Sequence, residues 1–113
     1  MENKYRKEIM AVLMAIQKLG HEIIWADDGG ERFKLKGKAI ESATKLAAEV
    51  VLSVDESHVG FKTPKGNKFW IFFVLGNGAG EAVADWSIPA DAAEAKELDK
   101  ALTAVSRKFE EVA

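Results

Sequence analysis

Asp85 is the carboxylate with the clearest potential for chemistry, because Ala84 and Trp86 flank it in a segment that alternates between apolar and polar residues. A carboxylate that is buried among apolar groups has a raised pKa and is a candidate functional group. The alternative is an exposed strand residue, or one bonded to neighbouring backbone. Trp25, Trp70 and Trp86 fall on three predicted strands, so they form either part of the core or the wall of a ligand pocket beside Asp85.

The remaining polar residues offer little for catalysis or metal binding. His21 and His58 are the two histidines, and neither has a second histidine at helix or strand spacing. The acidic turn Asp27 to Glu31 lacks the twelve-residue series of oxygen ligands of a calcium loop. Ser57 precedes His58 directly, but the members of a catalytic triad meet through the fold. We therefore predict no catalytic residue, no metal site and no cofactor.

The loop Gly76-Asn77-Gly78-Ala79-Gly80 superficially matches a nucleotide-binding loop. Glu81 stands where the dinucleotide-binding pattern requires its third glycine, and a strand follows. A phosphate site needs the amide groups and the dipole of a helix N-terminus at that point. We therefore predict a hairpin loop whose glycines adopt positive φ, with a loop that contacts a ligand or partner as the alternative.

Arg32, Lys34, Lys36 and Lys38 recur at every second residue and form a basic ladder. This spacing places the side chains of a strand on one face. Such a ladder either contacts phosphate groups or protects a sheet edge from aggregation. The chain has a formal charge of −2, whereas nucleic-acid-binding domains are usually strongly basic. Edge protection is therefore the favoured interpretation, and a nucleic-acid partner is the disfavoured one.

The periodicity of apolar residues predicts the elements that must position these side chains. Helices are expected over about residues 3–19, 38–48 and 91–112, and strands over about 21–26, 31–36, 50–54, 58–63, 69–75 and 81–88. The pattern predicts one α+β domain over residues 1–113, with an antiparallel sheet of five or six strands. Its order is α-β-β-α-β-β-β-β-α, with the N- and C-terminal helices packed on one face of the sheet.

The run Phe69 to Leu75 predicts the central strand, since it is apolar at every position. A strand of this kind is stable only if both of its faces are covered. With the loop at residues 76–80 and the strand to Ile88, it forms the β-hairpin that the sequence predicts most clearly.

Two helices carry more apolar residues than one buried face requires. Met10 and Met14 widen the stripe of the first helix, and the last helix has a heptad-like stripe of about two and a half repeats. The stripe packs either on the sheet and the first helix or against a second copy. A homodimer would use the apolar residues of both helices, namely Ile9, Met10, Leu13, Met14, Leu98, Leu102, Val105 and Phe109.

Composition limits the class of protein. The chain has 113 residues, of which 48% are hydrophobic and 30% charged, as in globular domains. The absence of cysteine removes disulfides and thiolate chemistry and fits a reducing compartment. The apolar stretch Ile9 to Ile16 is too short to span a membrane. We expect a cytoplasmic protein without a membrane partner.

Several short motifs occur in a strand-turn-strand, helix and strand order: residues 25–30, Val59-Gly60, Gly76-Asn77 and residues 84–87. In this order the chain resembles small uncharacterised α+β proteins that are encoded on mobile DNA, namely phages, plasmids and integron gene cassettes. The resemblance covers about residues 21–88. It implies a compact α+β domain, and it implies no activity and no site residues.

Three functions remain open at this stage. The leading hypothesis is a non-enzymatic protein-binding module that forms a homodimer. The alternative is a small-ligand-binding protein, or an unrecognised enzyme, with a pocket near Trp25, Trp70, Trp86 and Asp85. The third is binding of a nucleic-acid backbone by the basic ladder.

Overall fold

Between residues 4 and 111, the part of the chain that the structure describes, three helices pack against a five-stranded sheet. The structure is a computed structural model. Its elements are α1 (Arg6–Lys18), β1 (Glu22–Asp27), β2 (Arg32–Lys34), α2 (Ile40–Leu52), β3 (Glu56–Lys62), β4 (Lys68–Val74), β5 (Val83–Trp86) and α3 (Ala92–Glu111). The strand order is β2-β1-β3-β4-β5, and all neighbours are antiparallel. The predicted α+β class and antiparallel sheet are confirmed.

The strand predicted over residues 50–54 is instead the end of α2, which continues to Leu52. The observed order therefore has one strand fewer, α-β-β-α-β-β-β-α. The β-branched pair Val50-Val51 suggested a strand. Val51, however, continues the helical spacing of Ala43 and Ala47 and is fully buried, so packing against α1 and the sheet outweighs the local preference.

Alternate residues of the sheet form the inner face, on which all three helices lie. Phe61 of β3 and Phe69, Ile71 and Phe73 of β4 are buried there, in one cluster with the apolar residues of α1, α2 and α3. Because side chains alternate along a strand, the neighbours of these residues project from the opposite face.

The helix α1 is the centre of the helical layer, with α2 on one side and α3 on the other. Ile9, Leu13 and Ile16 have no exposed surface, and Gly20 ends the helix with a φ of 95°. The wide apolar stripe of α1 is therefore largely covered by its own chain. Met14 is the exception, with 38% of its surface exposed.

The predicted hairpin of β4 and β5 is confirmed, and Gly76, Gly78 and Gly80 of its loop have positive φ. A carboxylate from α1 fixes this loop. Glu8 is only 4% exposed, and its two oxygens accept hydrogen bonds from the amides of Gly80 at 2.8 Å and Ala82 at 2.9 Å. These bonds join residues that are more than seventy positions apart.

The loop is also fastened to α3. The Ser106 hydroxyl donates a hydrogen bond to the Gly80 carbonyl at 2.6 Å. A side chain at Gly80 would clash with the α3 backbone and with Glu110. The loop that resembles a phosphate cradle therefore has its amides at residues 80 and 82 occupied by the protein's own carboxylate, and it holds β5 against the helical layer.

Replacement of Glu8 by alanine should destabilise the fold by about 2–3 kcal/mol, because two buried amides lose a charged acceptor. Glu49→Ala, on an exposed surface of α2, is the matched control and should change the free energy of unfolding by less than about 0.5 kcal/mol. Urea denaturation followed by circular dichroism measures both. Equal stability of the two variants would contradict the role of Glu8.

Candidate functional site

The outer face of the sheet carries no helix within residues 4–111. We call it the open face. The strand registers place fourteen residues on it: Arg32 and Lys34 of β2; Glu22, Trp25 and Asp27 of β1; Glu56, His58, Gly60 and Lys62 of β3; Lys68, Trp70, Phe72 and Val74 of β4; and Asp85 of β5.

An aromatic cluster occupies the middle of the open face. The His58 ring stacks on Phe72 with centroids 4.5 Å apart and meets Trp70 edge to face at 5.3 Å. The Trp25 ring lies against Gly60, where any side chain would clash with it. All four rings are partly exposed. The one-sided antiparallel sheets of soluble proteins usually present polar residues on the solvated face, so this cluster is unusual.

Charges surround the aromatic cluster in equal numbers. Four cations and four anions belong to the open face: Arg32, Lys34, Lys62, Lys68, Glu22, Asp27, Glu56 and Asp85. The Arg32 guanidinium lies 3.9 Å from the centroid of the Trp25 ring, and its Nε is 3.4 Å from the Asp27 carboxylate. Arg32 and Lys34 lie on one edge strand, and Asp85 lies on the other.

The basic ladder does not continue as one row. Arg32 and Lys34 belong to the open face, whereas Lys36 and Lys38 lie in the turn between β2 and α2. Lys38 also borders a cavity of about 170 Å³ with Gln17 and His21 on the helical side. The anions of the open face further reduce its attraction for a phosphate backbone.

The structure separates the tryptophans that the sequence grouped into one pocket. Trp25, Trp70 and Asp85 belong to the open face, whereas Trp86 pairs with the inward residue Ile71 and packs against the core. Asp85 is exposed, and its carboxylate accepts a hydrogen bond from the Trp86 amide at 2.9 Å. This is the backbone-bonded alternative considered for Asp85 from the sequence.

Trp86 instead borders a cavity of about 310 Å³ between α1, α3 and the hairpin loop. Val12 and Leu102 contribute apolar walls, and Arg107 lies at its rim. The Glu8 carboxylate in this cavity is already used by two amides. Among the described residues that line this cavity, Glu8 has no second buried charged group beside it that would orient a ligand.

The predicted interface residues divide between the core and the surface. Ile9, Leu13 and Leu98 have no exposed surface, and Leu102 has 5%. Met10, Val105 and Phe109 are partly exposed, as is Met14. Within the aromatic cluster of the open face, His58 and Phe72 are the residues that the sequence did not single out as ligand-binding candidates. The signal for Phe72 was the alternation of side chains between the two faces of a strand, which places Trp70, Phe72 and Val74 of the run Phe69 to Leu75 on one face.

The structure places the neighbouring residues Ser57 and His58 on opposite faces of β3. Ser57 lies on the inner face and His58 on the outer face, so their side chains do not meet. Within residues 4–111 no three histidine or acidic side chains are placed to hold a metal ion, and none of the helices there has the length and apolarity to cross a bilayer.

No protein-family model, curated protein or solved structure matches this chain.

His21, between α1 and β1, is a second unusual group, because it is 5% exposed and neither ring nitrogen has a hydrogen-bond partner among the described residues. Its ring meets Phe69 edge to face at 5.2 Å. Burial lowers the pKa of His21 below its ordinary 6.5, although the carboxylates of Glu94 and Glu97 partly offset this effect. The folded state therefore disfavours the imidazolium.

His21 should make the fold less stable as the pH falls below 6.5, because the unfolded chain then binds a proton that the folded chain binds less readily. His21→Phe should flatten the dependence of the unfolding free energy on pH between 6.5 and 5. Glu97→Gln should steepen it, since a carboxylate that raises the pKa is removed. Urea denaturation at each pH tests this prediction. An unchanged slope in His21→Phe would contradict it.

Gly60→Ala should displace the Trp25 ring from the open face and destabilise the fold by about 1–3 kcal/mol. Gly30→Ala is the matched control, because a side chain there meets only ordinary contacts. The Trp25 indole resonance in a ¹H–¹⁵N NMR spectrum reports the displacement. If that resonance stays at its wild-type position in Gly60→Ala, the ring does not require the glycine.

Proposed function

We propose that the protein is a small protein-interaction module that self-associates through the open face. The observation that carries this proposal is the cluster of Trp25, His58, Trp70 and Phe72 on a sheet surface that no described helix covers. Aromatic side chains contribute strongly to the stability of protein interfaces, and their burial favours association.

The shape and charge of the open face favour a protein partner over the alternatives. A sheet surface is broad, whereas small ligands bind in concave sites that bury most of their surface. Polyanions require an excess of positive charge, and this face has equal numbers of cations and anions. Mixed charge around an aromatic centre instead resembles the polar rim and apolar core of protein interfaces.

A second copy of the chain is the partner that this surface fits. The same face supplies both signs of charge, so two copies can satisfy each other without any other molecule. Five strands span about 24 Å and the central strands about 20 Å, so each copy contributes roughly 500 Å². The total of about 1,000 Å² is at the lower end of specific interfaces, in the range of weak and transient contacts.

Sedimentation velocity between 1 and 500 μM should show a monomer–dimer equilibrium. Trp70→Lys should weaken the dimer at least tenfold, because it places a charge in the centre of the open face. Leu46→Lys on α2 is the matched control, since this exposed apolar residue lies outside the open face. Met14→Lys tests an interface on the helices, because Met14 is equally exposed on α1.

Two results would contradict the proposal. The first is a wild-type protein that stays monomeric at 500 μM. The second is a dimer that Met14→Lys dissociates and Trp70→Lys leaves intact, since that outcome would place the interface on the helical side.

A further inference from the structure

We infer that the two copies pack open face to open face about a two-fold axis that runs along β3. This arrangement rests on the self-association proposed above and specifies its geometry. The inference comes from the order of charged and aromatic residues in the cross-strand rows of the open face.

Twelve of the fourteen open-face residues form three rows that cross the strands, and Glu56 and Val74 form a fourth, shorter row. The first row, from β2 to β5, is Arg32, Asp27, His58, Phe72 and Asp85. The second, from β2 to β4, is Lys34, Trp25, Gly60 and Trp70. The third, from β1 to β4, is Glu22, Lys62 and Lys68. Each row has β3 at or near its middle, because β3 is the third of five strands.

A two-fold axis along β3 keeps each row opposite itself and reverses its direction. The edge strand β2 then faces β5 of the other copy, and β1 faces β4. In the first row, Arg32 lies opposite Asp85 of the other copy. In the third row, Glu22 lies opposite Lys68 of the other copy. Both oppositely charged pairs occur twice in the dimer, whereas Lys62 and Glu56 of β3 each face their own counterpart once, at the axis.

The second row places the apolar residues together under the same symmetry. Trp25 lies opposite Trp70 of the other copy, so four indole rings surround the axis. Gly60 lies on the axis itself, and the Trp25 ring of each copy lies against it. Aligned sheets pack about 10 Å apart with an angle of about 30°, which aromatic rings and long charged side chains can span.

The alternative axis, perpendicular to the strands through the second row, brings like charges together. It places the first row opposite the third on the same strand. Asp27 would then face Glu22 of the other copy twice, and Lys34 of the second row would face its own counterpart. The axis along β3 has four attractive charge contacts and two between like charges, whereas the alternative has only contacts between like charges, so the charge pattern favours the axis along β3.

Charge reversal tests the pairing of Arg32 with Asp85 directly. Arg32→Glu places two acids opposite each other, and Asp85→Lys places two cations opposite each other. Each single variant should therefore weaken its homodimer at least tenfold. When the two variants are mixed, both contacts of the heterodimer are attractive. Native mass spectrometry, with one variant ¹⁵N-labelled, should find at least nine-tenths of all dimers to be heterodimers, against one half for random pairing.

This design separates contacts between copies from contacts within one copy. Arg32 and Asp85 lie on opposite edges of the sheet, about 19 Å apart over four strand spacings, so they cannot pair within a chain. Arg32→Glu also loses the contacts with Trp25 and Asp27, but Asp85→Lys on another chain cannot repair an unfolded variant. Preferential formation of the heterodimer therefore reports a contact between Arg32 and Asp85 of different copies. Glu22→Lys mixed with Lys68→Glu provides a second, independent pair.

Lys45→Glu mixed with Asp99→Lys is the matched control, because both exposed residues belong to the helical layer and should pair randomly. A wild-type dimer with random pairing of the Arg32→Glu and Asp85→Lys variants would overturn the axis along β3 and leave self-association intact. A monomeric wild-type protein would overturn both proposals.

Discussion

The constraint on which the fold depends is the strand β4, which is apolar on both faces from Phe69 to Val74 while the three described helices lie on one face of the sheet. Phe61, Phe69, Ile71 and Phe73 fill the inner face and form one core with the helices. The same strands place His58, Trp70 and Phe72 on the outer face. A strand cannot separate these two sets, because its side chains alternate strictly. Because the outward positions of a strand vary independently of the inward ones, the aromatic surface is a separate feature of these strands and does not follow from the core.

The helix α1 lies between α2 and α3, and its first turn contacts the hairpin loop between β4 and β5. Glu8 is the residue that makes this connection, since its carboxylate binds two amides of the hairpin loop. A second polar link joins α1 to α2, where the Gln17 side chain donates to the Thr44 hydroxyl at 2.6 Å. At the start of α3, Lys65 and Asp91 pair at 2.8 Å, and the Asp91 carboxylate accepts the Glu94 amide. Polar contacts thus position elements that apolar burial alone would leave free to slide.

Local sequence signals predicted the parts of the site that lie within one strand. The alternation in β4 implied two apolar faces, and the glycines at 76, 78 and 80 implied positive φ, as observed. The strand prediction was wrong at residues 50–52 for a physical reason. β-branched residues favour strands only where tertiary contacts do not decide otherwise. Burial of Val51 against α1 decides in favour of the helix.

The sequence by itself determined the fold class, the strand alternation and the hairpin, because these follow from periodicity and from the conformational freedom of glycine. Only the tertiary structure decided which face each tryptophan occupies, that Asp85 is exposed, and that Glu8 occupies the amides of the glycine loop. It also decided that Arg32 and Asp85 lie at opposite ends of one row. Such relations depend on strand order and register, which join residues far apart in the chain and leave no local pattern.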